Sequence, residues 1–263
     1  MKKIATLLLA GLVQLSFSSA ALAETDLAKI QSAGVLKIGT EGTYPPFTYH
    51  DASGALTGFD VEIGREVAKR LNVKAEFVEG KWDGLIAGLD ARRYEAVINQ
   101  VSITPERQQK YDFSVPYIAS KGVLIVRSDN TSIKSFEDLK GKKSAHTLTS
   151  NYAQLARSYG AEIVGTDGFN QSVDLVASGR ADATINDNLS YLDFKKHKPD
   201  AKVKIAATRA DAEQEGILIR KGNPELKAAI DKALAEIKSD GTYQRISQHL
   251  SLIHISEPTR HAQ

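Results

Sequence analysis

One order of segments, met twice along the chain, limits the folds open to it. Between residues 35 and 98, short β-like runs alternate with helical patterns. Residues 35–39 read as a strand, 59–71 as an amphipathic helix ending before Asn72, and 73–78 as a second strand. Residues 82–91 read as a helix with Leu85, Ile86 and Leu89 on one side, and 96–98 as a short buried strand. This β-α-β-α-β order favours a sheet with helices on both faces. A long apolar strand follows at 120–127, and then a second unit begins. Its expected helices start at 135, 152, 171 and 188, and its expected strands cover 142–147, 161–164, 183–185 and 203–206. A last strand at 216–219 leads into a strong helix over 224–240, where Leu226, Ile230, Leu234 and Ile237 form one face. Tyr94-Glu-Ala-Val-Ile and Ala181-Asp-Ala-Thr-Ile occupy matching places in the two units. With no low-complexity linker between the units, two closely connected α/β lobes fit better than separate beads. A single doubly wound domain is the alternative.

The first 23 residues bear on the compartment. MKKIATLLLAGLVQLSFSSAALA joins Lys2 and Lys3 to an apolar stretch and ends in the small-residue site Ala21-Leu22-Ala23, the pattern of a cleaved secretory signal. Gln14 and several serines interrupt the stretch, which is short for a bilayer span. Export is expected, with a mature chain starting at Glu24. The chain has no cysteine, so lipid attachment at a signal-peptide cysteine and disulfides are both excluded. A protein free in a bacterial periplasm, and a monomer, is expected. The formal charge of +2 includes Lys2 and Lys3, and without them 32 basic residues (34 − 2) face 32 acidic ones. That balance, with no dense basic run, does not suggest a nucleic-acid or membrane surface. From Leu250 the text LSLIHISEPTR breaks the preceding helical pattern and matches the translation of a transposon-type sequencing adapter. Residues 250–263 are expected to be a non-native tail.

Catalytic and cofactor signatures are missing: no H-E-x-x-H, no G-x-S-x-G, no phosphate loop and no G-x-G-x-x-G. His50, His146 and His197 stand apart in sequence, and each has a plainer use at the surface or in packing. No metal and no organic cofactor is called for, and the sequence points away from an enzyme.

The segment NQVSITPERQQKYDFSVPY, residues 99–117, points elsewhere. Thr104-Pro105 is a good helix start. Glu106 suits the positive end of a helix dipole, whereas Arg107 does not. An anion bound there would offset that repulsion. A small zwitterion needs a bidentate cation for its carboxylate, an acid or carbonyls for its ammonium, and apolar walls. Arg107 can supply the fork, aided by N–H groups around Ser102–Thr104. Thr149-Ser150-Asn151 lies between a strand and a helix, and Asp187 at the carboxyl end of a strand, where open α/β sheets bind ligands. Both could equally be helix caps. Tyr44 and Trp82 offer aromatic walls or ordinary core packing.

Taken together, EGTYPPF, LTGFDVEI, KWDGLIAGL, VINQVSITPERQQKYDFSVPY and GRADATINDN resemble the periplasmic polar-amino-acid-binding proteins of ABC importers, solute-binding family 3. The resemblance runs from about Leu27 to His249 and is nearest to the cystine-binding branch. It implies a type II periplasmic-binding-protein-like α/β fold, with two lobes closing over a ligand and two hinge strands near residues 118–121 and 214–217. The first lobe would cover 24–119 and 216–249, and the second 120–215. Arg107 is similar to the family arginine that clamps the α-carboxylate, and Asp187 to the acid that receives the α-ammonium. Ser102 and the backbone around Gln100 match ligand contacts of the first lobe. Ser150 and Asn151 match the second-lobe carboxylate site, while Tyr44, Trp82, Glu41 and Thr147 correspond to pocket positions. The implied partners are an amino acid and an inner-membrane permease with its ATPase. HTLTSNY departs from the family in lacking the glycine common in its second-lobe anion loop. Two rival functions remain: a cyclohexadienyl dehydratase with Glu41 as its acid, and a ligand-presenting sensor partner.

Overall fold

The structure is a computed structural model that describes residues 24–249; the expected signal segment and adapter-derived tail lie outside the described residues. Helix α1 (Asp26–Ala33) leads into strand β1 (Val35–Thr40), then the small strands β2 (Thr43–Tyr44), β3 (Thr48–His50) and β4 (Leu56–Thr57). Helix α2 (Phe59–Arg70), β5 (Lys74–Glu79), α3 (Trp82–Asp90), β6 (Ala96–Val97), α4 (Pro105–Lys110) and β7 (Tyr111–Phe113) follow. The chain then passes through β8 (Ile118–Ser120) into β9 (Gly122–Arg127), a 3₁₀ turn at Phe136–Leu139, β10 (Lys143–His146), α5 (Asn151–Ser158) and β11 (Glu162–Gly165). After α6 (Phe169–Ala177), β12 (Ala183–Asp187), α7 (Asn188–His197) and β13 (Val203–Thr208), it returns by β14 (Glu213–Glu215) to β15 (Leu218–Arg220), α8 (Pro224–Ser239) and α9 (Thr242–His249).

Two five-stranded sheets result, in the orders β5-β1-β6-β15-β7 and β11-β10-β12-β9-β13. In each, three parallel strands precede an antiparallel fourth, β15 beside β6 and β9 beside β12. The two lobes thus share one layout, and the repeat of Glu-Ala-Val-Ile and Asp-Ala-Thr-Ile marks their equivalent central strands β6 and β12. Strand β9 shows why the core strands read as continuous apolar runs. Val123 and Ile125 enter a cluster with Phe169 and Val173 of α6, while Leu124 and Val126 enter another with Tyr152 and Ala156 of α5. Strand periodicity sends alternate residues to opposite faces, and here both faces are covered. Each such buried side chain contributes about 1.5–3 kcal/mol. The first sheet is built likewise, with Ile217 and Ile219 facing α2 and α8, and Leu218 facing α3.

The structure divides one expected strand and shifts another. The run 120–127 is broken at Lys121: β8 pairs with β14, whereas β9 joins the second sheet. The run 216–219 is not divided but shifted: β15 starts at Leu218 and runs to Arg220, and β14, just before the run, belongs to a different sheet. Apolarity reports burial, not pairing partner, so it hid the transfer at Lys121, while the Glu-Gln-Glu of β14 carries no strand pattern at all. The expected helix at 135–139 is a four-residue 3₁₀ turn. Helices α1 and α9, the β2-β3-β4 hairpins and β7 had no place in the sequence reading; all are short, and α9 is largely polar. Among the described residues no helix is long and apolar enough to cross a membrane.

Candidate functional site

The lobes meet along the carboxyl ends of β1, β6, β10 and β12. A cavity there is lined from the first lobe by Glu41, Tyr44, Trp82, Asn99 and Gln100, and from the second by Thr147, Ser150, Asn151, Tyr152, Phe169 and Asn186. Seven of the ten expected site residues are on this wall. Arg107, Ser102 and Asp187 are not, and each adjoins it through a neighbour.

Arg107 sits as its helix start requires. Thr104 Oγ accepts the Arg107 N–H at 3.2 Å, the N-cap bond that opens α4. The guanidinium donates from Nη1 to the Ser102 carbonyl at 2.9 Å and lies 5.4 Å above the Trp82 ring. Burial lowers its pKa from the ordinary arginine value, while nearby Glu215 and Glu213 counter part of that effect. Among the described residues it makes no ion pair within 4.0 Å. Trp82, the first residue of α3, is almost fully buried, and its Nε1 has no hydrogen-bond partner among the described residues.

Ser102 connects this corner to the return strand. Its hydroxyl donates towards Glu213 at 3.2 Å and Glu215 at 3.3 Å, and accepts from Asn151 Nδ2 across the cleft at 3.3 Å. Asn151 Nδ2 also donates to Glu213 at 3.0 Å. Glu215 is wholly buried, which raises its pKa well above the usual carboxylate range. Neither glutamate was singled out in the sequence; both lie more than 100 residues from Ser102.

On the second lobe, Asp187 ends β12 and caps α7, accepting the Leu189 N–H at 2.7 Å and a hydroxyl bond from Ser120. Burial pushes its carboxyl up to about 6, against those two hydrogen bonds. Ser150 caps α5 by accepting the Ala153 N–H at 3.1 Å. Both residues therefore have the plain capping role as well as their place at the cleft. The loop before α5 gathers an anion, and it comes from the other lobe: Asp83 of α3 accepts the N–H groups of Leu148 (3.1 Å) and Thr149 (2.9 Å) and the Thr149 hydroxyl (2.8 Å). Lys81 and Asp167 add an exposed ion pair at 2.9 Å between the lobes.

The first-lobe wall is a connected polar network. Asn99 donates to Glu41 Oε2 at 2.6 Å and accepts the Glu41 N–H at 2.7 Å. Burial pushes the Glu41 carboxyl up to about 7, with the Asn99 bond acting against it. Tyr44 reaches across to Asn186, donating to Oδ1 at 2.6 Å, and its ring lies 5.5 Å from Phe47 and 6.1 Å from Phe169. His146 is a packing histidine: burial lowers its pKa to about 3, and its Nε2 shares a hydrogen bond with Ser144. Among the described residues, no group of three or more histidine or acidic side chains could hold a metal.

Two equivalent α/β lobes, crossed by two paired strands and closing on a polar cavity, define a two-lobed solute-binding protein. The chain belongs to the bacterial extracellular solute-binding proteins, family 3, whose pattern matches residues 36–250. It is 45% identical over 249 residues to a "Probable amino-acid ABC transporter-binding protein" of Haemophilus influenzae, covering 94% of this chain and 96% of that one. It is 46% identical over 222 residues to "L-cystine-binding protein TcyA" of Bacillus subtilis, covering 84% and 82%. Among solved structures, an ancestral arginine-binding protein bound to arginine superposes with a TM-score of 0.78 at 41% identity, covering 82% of this chain and 98% of that one. The L-cystine solute receptor of Neisseria gonorrhoeae, in an unliganded open conformation, reaches a TM-score of only 0.58 at 45% identity, covering 88% and 99%. Higher identity with poorer superposition is what a change in lobe angle produces. The cross-cleft bonds of Asp83, Tyr44 and Asn151 agree that the lobes here are drawn together.

Proposed function

We propose that this protein captures a polar L-amino acid, foremost L-cystine, between its lobes and delivers it to the permease and ATPase of an ABC importer. The carrying observation is Arg107: a half-buried guanidinium with no direct ion pair among the described residues, beside Ser102 and Asn151 where the lobes meet. In this reading Arg107 clamps the α-carboxylate with help from Ser102, Ser150 and Asn151, and Asp187 receives the α-ammonium. Glu41, Tyr44, Trp82, Gln100 and Thr147 surround the side chain. The lobes would span 24–119 with 216–249, and 120–215, with β8 and β14 as hinges. Relatives described as amino-acid and cystine binders support the ligand class and the non-enzymatic reading. The family is extracellular; release into the periplasm after cleavage at Ala23, and action as a monomer, complete the proposal.

Ligand shifts the balance between open and closed lobes, and the closed form is what a permease recognises. The test is a thermal-shift panel of the twenty amino acids plus cystine, on protein refolded to remove bound ligand. A true ligand far above its dissociation constant stabilises by a few kcal/mol, a shift of several degrees. One large shift with cystine supports class and branch together, and a shift with another polar amino acid keeps only the class. No shift, with turnover of prephenate instead, would replace this reading by the dehydratase.

A further inference from the structure

Asp60 lies in the first turn of α2, wholly out of solvent, behind the cavity wall. Gly58 places it there: its φ of +124° opens the helix, and a Cβ would come within 2.2 Å of the Phe47 carbonyl oxygen. Both Asp60 oxygens are taken by one residue. Oδ2 accepts the Gln100 backbone N–H at 2.7 Å, and Oδ1 accepts Gln100 Nε2 at 2.8 Å. Gln100 adopts φ +50°, a left-handed backbone uncommon for a residue with a side chain. Its side chain lines the cavity and is more than nine-tenths buried, yet Oε1 has no hydrogen-bond partner among the described residues.

We infer that Asp60 is a positioning residue that fixes the polarity of Gln100, so that Gln100 Oε1 meets the ligand as an acceptor for an ammonium or amide N–H. Burial raises the Asp60 carboxyl to about 7; above that pH it is a carboxylate that only accepts, so the amide must turn its NH₂ towards Asp60. Its oxygen is then left for the cleft, and a buried acceptor without a donor is unfavourable. An N–H of the ligand satisfies it, whereas a ligand carboxylate at that point is repelled. The inference rests on the amino-acid-binding reading and adds to it a side-chain contact and the residue that orients it.

The test is isothermal titration of L-cystine at about pH 8.5, where Asp60 is ionised, into wild type, Asp60→Asn, Gln100→Met and the double variant, with Asp187→Ala as a control and a thermal melt to show folding. Asn at position 60 offers its own NH₂ to the Gln100 side chain and turns that amide around. Each single variant is expected to bind about tenfold to a hundredfold more weakly. The double variant is expected to bind no more weakly than Gln100→Met, because Asp60 acts through that side chain. Losses that add would make Asp60 a packing residue and overturn the inference. Gln100→Met leaves Asp60 in place and decides the acceptor even where Asp60→Asn does not fold; wild-type affinity in it overturns the inference. If wild type binds and Asp187→Ala does not, while Gln100→Met is unaffected, the function stands and this inference alone falls. If wild type binds no amino acid, both fall.

Discussion

In the first lobe, the polar groups at the cleft hang from the segment after β6, pinned by side chains of their own lobe. Asn99 is tied to Glu41 and Thr40, and Gln100 to Asp60. In the second lobe the equivalent positions are helix starts: Ser150 caps α5, and Asp187, following Asn186 on β12, caps α7. The same strand order therefore presents ligand groups in two ways. The first lobe sets side-chain direction by buried hydrogen bonds, which persist whether or not the lobes meet. The second relies on helix N-termini, whose N–H groups attract anions, and its loop donors at Leu148 and Thr149 find Asp83 only across the cleft. Pre-set geometry belongs to one side and closure-dependent geometry to the other.

Removing the main charge from each side probes this contrast most strongly. Arg107→Ala and Asp187→Ala should each cost about 3–5 kcal/mol of binding, a loss on the order of a hundredfold or more, since each leaves a buried ligand charge unpaired. Calorimetric titration of the folded variants checks it, and unchanged affinity in either removes that residue from the site.

Asp83→Ala should act more gently and by another route. Its bonds exist only when the lobes are together, so their loss favours the open form. A fall in affinity of less than about tenfold is expected, because Asp83 is exposed and its bonds are screened. Small-angle scattering should show a larger radius of gyration in ligand-stripped Asp83→Ala than in wild type. Equal radii would leave Asp83 as a surface residue.

A pH titration separates the lobes with the smallest effect. Burial holds Glu41 and Asp60 of the first lobe at about 7, and Asp187 of the second at about 6. Each is raised above its unfolded value, so between the two values the folded state carries the extra proton and stability falls as pH rises. His146, lowered to about 3, works oppositely but only below its ordinary 6.5. From about pH 6.5 to 8 the stripped protein should lose on the order of 1 kcal/mol, roughly 2–4 °C in Tm. Asp60→Asn should flatten that slope more than Asp187→Asn, whose titration is nearly complete at the start of the window. A rising Tm would show that these carboxyls are not held protonated.

How far the sequence reached follows from the range of the interactions. Helix α4 was legible because its cap, Thr104 to Arg107, spans three residues, and the core strands because two-sided burial writes apolar letters in a row. Arg107 stood out as a cation beside a helix start, a purely local conflict. Asp60, Asp83 and Glu213 gave no such sign. Their partners lie 40, 65 and 62 residues away, at Gln100, Leu148 and Asn151. Each alone is an acid at a helix start or on a polar strand, which needs no special explanation. The strand break at Lys121 was hidden for a related reason, since the strands on both sides of it are largely apolar.

One feature of the first sheet has a temporal consequence. Strand β15 lies between β6 and β7, and β7 has no other neighbour in the sheet. A ribosome makes β7 about a hundred residues before the strand that ties it in, and finishes every strand of the second sheet in the interval. The lobe begun first is thus completed last: the second can assemble from one continuous stretch, while the first waits, with an edge open, until β15 is made.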